Sequence, residues 1–285
     1  MKTVIRVLFL SLALVFTSAQ AQDFQGKAVY KTSRAIDIKI DSTKVNDELH
    51  KQMQAMLRKQ FQKTFTLNFD KEASVYKEDE SLAPPQVGGG DIQVMVIGDG
   101  GGGDILYKNT KDKRYTDQKD VYGKIFLVKD ELKPIEWKLE SETKYIGEYQ
   151  CFKATFSREI EVDNSTSFSS SDNEKDERDI ETVKETQIVT AWYTPQIPVN
   201  NGPGNYYGLP GLILEVSTDK QQIVCTKIIL NPEKKIEISE PTKGKEIDQE
   251  GYDKIMEKKR KEMLERFKPR KGNRGGEAIE LRIGG

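Results

Sequence analysis

Histidine is nearly absent from this chain: His50 is the single one among 285 residues. A histidine-based metal site or a Ser-His-Asp triad would have to be built on that one imidazole. His50 follows Leu49 on the polar side of an expected helix, which reads as a surface position. Long apolar runs are missing too. Beyond the first 21 residues no segment approaches the ~18 consecutive apolar residues of a membrane-spanning helix. Charge of one sign is also lacking, with 45 basic residues against 46 acidic ones and a net charge of −1. That balance argues against nucleic acid or an anionic membrane as a general partner. Cysteine occurs twice, as Cys151 and Cys225.

What is present begins with a leader. Lys2 and Arg6 precede a mostly apolar stretch from Val7 to Phe16, and Ala19-Gln20-Ala21 is a small-x-small cleavage site. This is the pattern of a secretory signal peptide cut after Ala21. No cysteine follows the cut, so no lipid anchor is expected there. The expected location is the periplasm or the extracellular space, with no transmembrane segment left after cleavage. In such an oxidising compartment an even cysteine count favours a disulfide, here Cys151 to Cys225. Two buried thiols are the alternative.

The rest of the chain reads as mainly β. Alternating apolar residues predict strands within 24–40, 64–69, 73–77, 105–107, 121–129, 135–139, 149–156, 183–193, 212–217 and 222–230. Leu49, Met53, Met56, Leu57 and Phe61 fall at helical spacing over 47–62, behind Asn46 as N-cap. Tyr252, Ile255, Met256, Met263 and Phe267 mark a second helix over 253–267. Residues 78–104 hold Pro84-Pro85 and two glycine runs, and 163–179 are rich in Ser, Asp, Glu and Lys. Both are expected as polar insertions that cannot recover their ordering entropy. The domain reading is a leader over 1–21, a β-rich domain over 22–241, and a C-terminal helix with a basic tail over 242–285. With no β-α-β alternation, the expected fold is one large curved antiparallel sheet, half-barrel-like, with one packed helix and a C-terminal helix.

Several motifs invite chemistry and fall short of it. Gly88-Gly89-Gly90-Asp91-Ile92 and Gly101-Gly102-Gly103-Asp104-Ile105 lack the Gly-Lys-Ser/Thr of a phosphate loop and the nine-residue period of a calcium β-roll. The acidic run Asp172, Glu174, Asp176, Glu177 and Asp179 is broken by Lys175 and Arg178, with no EF-type glycine. No metal, cofactor or catalytic residue is assigned. Trp192, Tyr193, Tyr206 and Tyr207 flank a proline-rich crossover, and rings with an apolar body and a polar tip favour clefts and partners. With Leu209 they form the candidate binding rim.

The crossover ends in Gly208-Leu209-Pro210-Gly211-Leu212-Ile213. Pro-Gly inside four residues predicts a type II turn over 209–212, with Gly208, Pro210 and Gly211 as its structural residues. The strand after it is expected to put Leu212, Leu214 and Val216 on one face and Ile213, Glu215 and Ser217 on the other. This stretch resembles the signature of the GLPGLI family of exported Gram-negative proteins. Phe126-Leu127-Val128-Lys129-Asp130, Trp137-Lys138-Leu139, Tyr149-Gln150-Cys151-Phe152-Lys153-Ala154 and Ala191-Trp192-Tyr193-Thr194 resemble it as well. The resemblance implies a secreted β-rich protein and supplies no activity. The functional expectation is a non-enzymatic binding or accessory protein for an apolar ligand or an outer-membrane or periplasmic protein. Its alternatives are a hydrolase using carboxylates near the signature turn and a purely structural envelope component.

Overall fold

The computed structural model describes residues 24–34, 62–79, 103–121, 123–163 and 182–266. The leader and its cut after Ala21, the helix expected at 47–62 with His50, most of both insertions and the basic tail lie outside the described residues.

Twelve strands form one open sheet. In chain order they are β1 (Gly26–Arg34), β2 (Lys63–Phe69), β3 (Ala73–Glu78), β4 (Ile105–Asn109), β5 (Arg114–Val121), β6 (Lys124–Glu131), β7 (Lys138–Ile146), β8 (Tyr149–Asp163), β9 (Thr182–Thr194), β10 (Leu212–Ser217), β11 (Gln221–Leu230) and β12 (Lys245–Ile247). The single described helix, α1, spans Gln249–Arg266. Across the sheet the order is β12-β6-β5-β4-β3-β2-β1-β11-β10-β9-β8-β7. Neighbours pair antiparallel, except that β12 runs parallel to β6. The mainly β expectation therefore holds, as one open antiparallel sheet rather than a closed barrel.

β5, β12 and most of β7 escaped the hydropathy pattern. β5 is polar apart from Tyr115 and Val121, and its place comes from β4 and β6, which bond it on both sides. The strand expected at 135–139 starts only at Lys138; residues 132–137 form a strap behind Pro134, which has no N–H to give a ladder. Across β7 and β8, Glu140, Ser141 and Glu142 fall between the pairs Leu139–Ala154 and Thr143–Phe152, opposite Lys153 alone. Lys153 gathers both carboxylates of this bulge, at 3.0 and 2.9 Å. A bulged and charged edge strand resists uncontrolled pairing with other chains.

Apolar residues bury on both faces of the β8–β10 region. One cluster joins Tyr30, Leu67, Phe69, Tyr76, Leu106 and Leu214 with both cysteines. The other joins Ala154, Val189, Ala191, Tyr193, Leu209, Ile213 and Val216. The alternation expected along β10 is thus corrected. A register shift between Ile213 and Glu215 moves Val216 to the cluster of Ile213, away from Leu212 and Leu214. A similar shift opposite Val29 and Tyr30 brings Ile228 and Leu230 inward beside Cys225 and leaves Ile229 exposed.

Candidate functional site

The crossover between β9 and β10, residues 195–211, carries no Asp, Glu, Lys or Arg. Its prolines keep it out of the ladders. Its backbone is satisfied instead by a private set of bonds. Gly208 N donates to Asn200 O at 3.0 Å, Leu212 N to Ile197 O at 2.9 Å and Ile213 N to Asn201 O at 3.0 Å. From β1, Tyr30 Oη donates to Ile213 O at 2.8 Å.

The signature does not make the expected type II turn. Gly211 N donates to Leu209 O at 2.8 Å, which closes a three-residue turn around Pro210. The φ of Gly211 is 159°, far from the about +80° that the third position of a type II turn takes. Gly211 is glycine for space: a Cβ there would lie 2.2 Å from Thr194 O. Gly202 answers to the same constraint, since a Cβ would sit 2.8 Å from the Cβ of Ile213.

Three side chains fasten the crossover; Lys108 and Ser74 were not singled out above, and Trp137 was named only within a stretch of the resemblance. Lys108 on β4 is fully buried, and its Nζ donates to Gly204 O (2.7 Å), Gly202 O (2.9 Å) and Tyr206 O (3.2 Å). Ser74 on β3 donates to Asn201 Oδ1 at 2.9 Å. From the strap, Trp137 Nε1 donates to Tyr207 O at 2.8 Å, and Tyr207 Oη returns a bond to Lys133 O at 2.6 Å. Lys108 had one visible signal. It shares strand parity with Leu106, so a lysine stands at an inward position.

The candidate rim is divided by the sheet. Trp192 packs against the first cluster, with Lys144 Nζ 4.4 Å above its ring. Tyr193, the next residue, lies in the second cluster and tilts against Phe152 at 6.1 Å. Leu209 is 1% exposed and belongs to that core. Tyr206 touches both clusters, and Tyr207 is tied to the strap. Burial raises the pKa of Tyr193, Tyr206 and Tyr207, so all three are neutral phenols.

The expected disulfide is absent. Cys151 and Cys225 are buried free thiols on β8 and β11, with β9 and β10 between their strands. Each thiol faces a carbonyl at 3.5 Å, Tyr149 O and Lys227 O respectively. Burial pushes Cys151 up to about 11 and Cys225 up to about 12. Such thiols are poor nucleophiles. The carboxylate nearest the signature, Glu215, is engaged by Lys144 at 2.6 Å and Gln222 at 3.3 Å. Among the described residues no group of three or more His, Cys, Asp or Glu is placed to hold a metal ion, and no helix is long and apolar enough to cross a membrane.

A family model described as a protein of unknown function, Porph_ging, matches residues 137–215. The match runs from Trp137 of the strap to Glu215 of β10 and so contains the crossover and its signature. No curated protein matches the chain. Among solved structures, PNGF-II in space groups C2 and P21 is similar at 15% and 16% identity, with TM-scores of 0.47 and 0.48. Those matches cover 83% of this chain and 33% and 34% of the other chains. The chain thus spans about a third of the length of the solved structures it matches.

Proposed function

We propose that this chain is an exported, non-enzymatic accessory protein of the bacterial envelope, of the GLPGLI type, that docks a periplasmic or outer-membrane protein through its β7–β9 region. One observation carries this reading. Of the five exposed large hydrophobic residues among the described ones, four lie on β7–β9, and three of these, Leu139 (58% exposed), Tyr145 (72%) and Val183, share the sheet face of the second cluster. Isolated exposed apolar residues are ordinary, whereas their concentration on one region favours a contact surface. Export is supported by the leader pattern ending at Ala21.

An apolar-ligand site at the rim has less support, because Leu209 and Tyr193 are consumed by the core. The hydrolase alternative has little, because Glu215 is held in an ion pair and a hydrogen bond. In the test, a photo-crosslinking amino acid replaces Leu139, Tyr145 or, as control, the exposed Lys71 of the β2–β3 turn in producing cells. Adducts of one discrete mass from positions 139 and 145, and none from 71, are expected. Equal labelling from all three positions, or none, overturns the docking surface. A lipid retained in native mass spectra returns the case to the apolar-ligand reading.

A further inference from the structure

The end strand β7 is guarded by its bulge, but it stops short of the strand it borders. Its first residue, Lys138, pairs with Thr155, and no described strand bonds the outer edge of β8 from Phe156 to Asp163. On the other side, β10 pairs with β9 only as far as Thr190. The β8–β9 hairpin therefore runs past the sheet as a two-stranded ribbon. It pairs Ser157 with Ile188 through to Asp163 with Thr182, without a register shift. The β9 edge is flanked by the β10–β11 turn, where Gln187 Nε2 donates to Asp219 Oδ1 at 3.1 Å. The β8 edge has neither bulge nor proline, and such a row of free backbone donors and acceptors takes a further strand.

Two properties select the strand that fits. The first is an apolar face. Alternation from Ala154 puts Phe156 and Ile160 on the side of the second cluster, with Val183 of β9 beside them. An added strand with apolar residues at every second position extends that cluster. The second is charge. Residues 157–188 hold ten acidic and four basic residues, a net charge of −6. A second copy of the ribbon would set like charges side by side, whereas a basic segment is attracted.

One segment of this chain has both properties, and it lies outside the described residues. Residues 267–285 carry five basic residues against two acidic ones, a net charge of +3. Lys268, Arg270, Lys271 and Arg274 precede Glu277-Ala278-Ile279-Glu280-Leu281-Arg282-Ile283. There Ile279, Leu281 and Ile283 alternate with Glu280 and Arg282, the period of a strand with one apolar face. Reach is sufficient. The arc from β6, beside which α1 begins, to β8 is nine strand spacings, about 43 Å. The 18 residues of α1 rise about 27 Å and the linker 267–276 spans up to about 33 Å, which together exceed that arc.

We propose that residues 277–283 add to the outer edge of β8 in the same chain, with Ile279, Leu281 and Ile283 on the face of Ile160. The added strand covers the ribbon and leaves Leu139 and Tyr145 open, so this inference does not rest on the docking reading.

The test uses the purified full mature chain, alone, with a photo-crosslinking amino acid at Leu281. Peptide mapping of the monomer should place the adduct within 156–163, and the same amino acid at Lys71 should give none there. An adduct elsewhere in the chain, or no adduct, overturns the added strand. An adduct of twice the mass puts the segment on a second copy and overturns the same-chain assignment. Leu281→Asp sets a charge on the apolar face. Amide exchange over 157–163 should then become about tenfold faster, while Asp70 N, bonded to Ala73 O in the β2–β3 turn, stays level. Unchanged exchange over 157–163 overturns the proposal as well. Since no partner is present, failure here leaves the docking reading standing.

Discussion

Lys108 Nζ donates to Gly204 O at 2.7 Å and so binds β4 to a loop 96 residues further along the chain. The bond spans the sheet's long detour through β5 to β9. Ser74 to Asn201 and Trp137 to Tyr207 repeat the arrangement from β3 and from the strap. The crossover is therefore a fastened element. Its side chains fill both clusters, and its polar groups are met by partners from three places: the backbone by Lys108 and Trp137, and the Asn201 side chain by Ser74.

Gly211 and Gly208 separate space from backbone conformation. Gly211→Ala drives a methyl into the Thr194 carbonyl and should cost about 3 kcal/mol, the upper range for overpacking. Gly208 has φ 92°, but a Cβ there meets nothing closer than Trp137 Nε1 at 3.9 Å. Gly208→Ala should cost about 1 kcal/mol from backbone strain alone. Urea midpoints should rank wild type above Gly208→Ala and that above Gly211→Ala; the reverse order would contradict the geometry.

Trp137→Phe keeps a ring on Phe156, at present 4.7 Å away edge-on, and removes the bond to Tyr207 O. The expected loss is about 1 kcal/mol. Tyr207→Phe removes the return bond to Lys133 O and should cost a similar amount. Because both bonds tie one strap to one loop, the double variant should lose less than the sum of the two, as thermal melts of the four proteins would show.

Both thiols should be silent in the native protein. A thiol reagent at pH 8 should count two groups after unfolding and react only slowly before it. A count of zero in denaturant without reductant would show a bond instead.

The same thiols set a pH dependence. Their folded pKa values, raised by burial to about 11 and about 12, lie above the ordinary value of about 8.5. Between those limits the folded chain keeps protons that the unfolded chain has lost. Their contribution is complete below pH 8.5 and is lost as pH rises through 11 to 12. Relative to a Cys151→Ala/Cys225→Ala variant, the wild type should lose stability steadily from pH 8.5 to 11. A constant difference would mean the thiols are hydrated.

The strands β2 to β4 and β9 to β11 were legible within a few residues, because each buries at least one apolar face, although register shifts interrupt the period of two in β10 and β11; β8 runs on from its expected end at Phe156 to Asp163, and the 35–40 part of the strand expected at 24–40 lies outside the described residues. β5 was not, since Thr116 and Asp117 are buried through their neighbours rather than through their own hydropathy. The rim was misleading in one respect. Trp192 and Tyr193 look like one aromatic patch on paper, yet consecutive strand residues point to opposite faces. Glycine and proline at 208–211 were legible as a turn, but its type was not, because the carbonyl that excludes a Cβ belongs to Thr194.

By itself the sequence determined the fold class, the two-fold alternation of most strands, the uncharged proline crossover and the leader pattern, all of which are local properties of composition and spacing. Only the tertiary structure decided that Lys108, Ser74 and Trp137 converge on that crossover, that the two cysteines are buried as free thiols on separate strands, and that Gly211 is needed for room. Those outcomes depend on which strands lie side by side and on which residue occupies the last few ångströms, and neither is written in any one stretch of the chain.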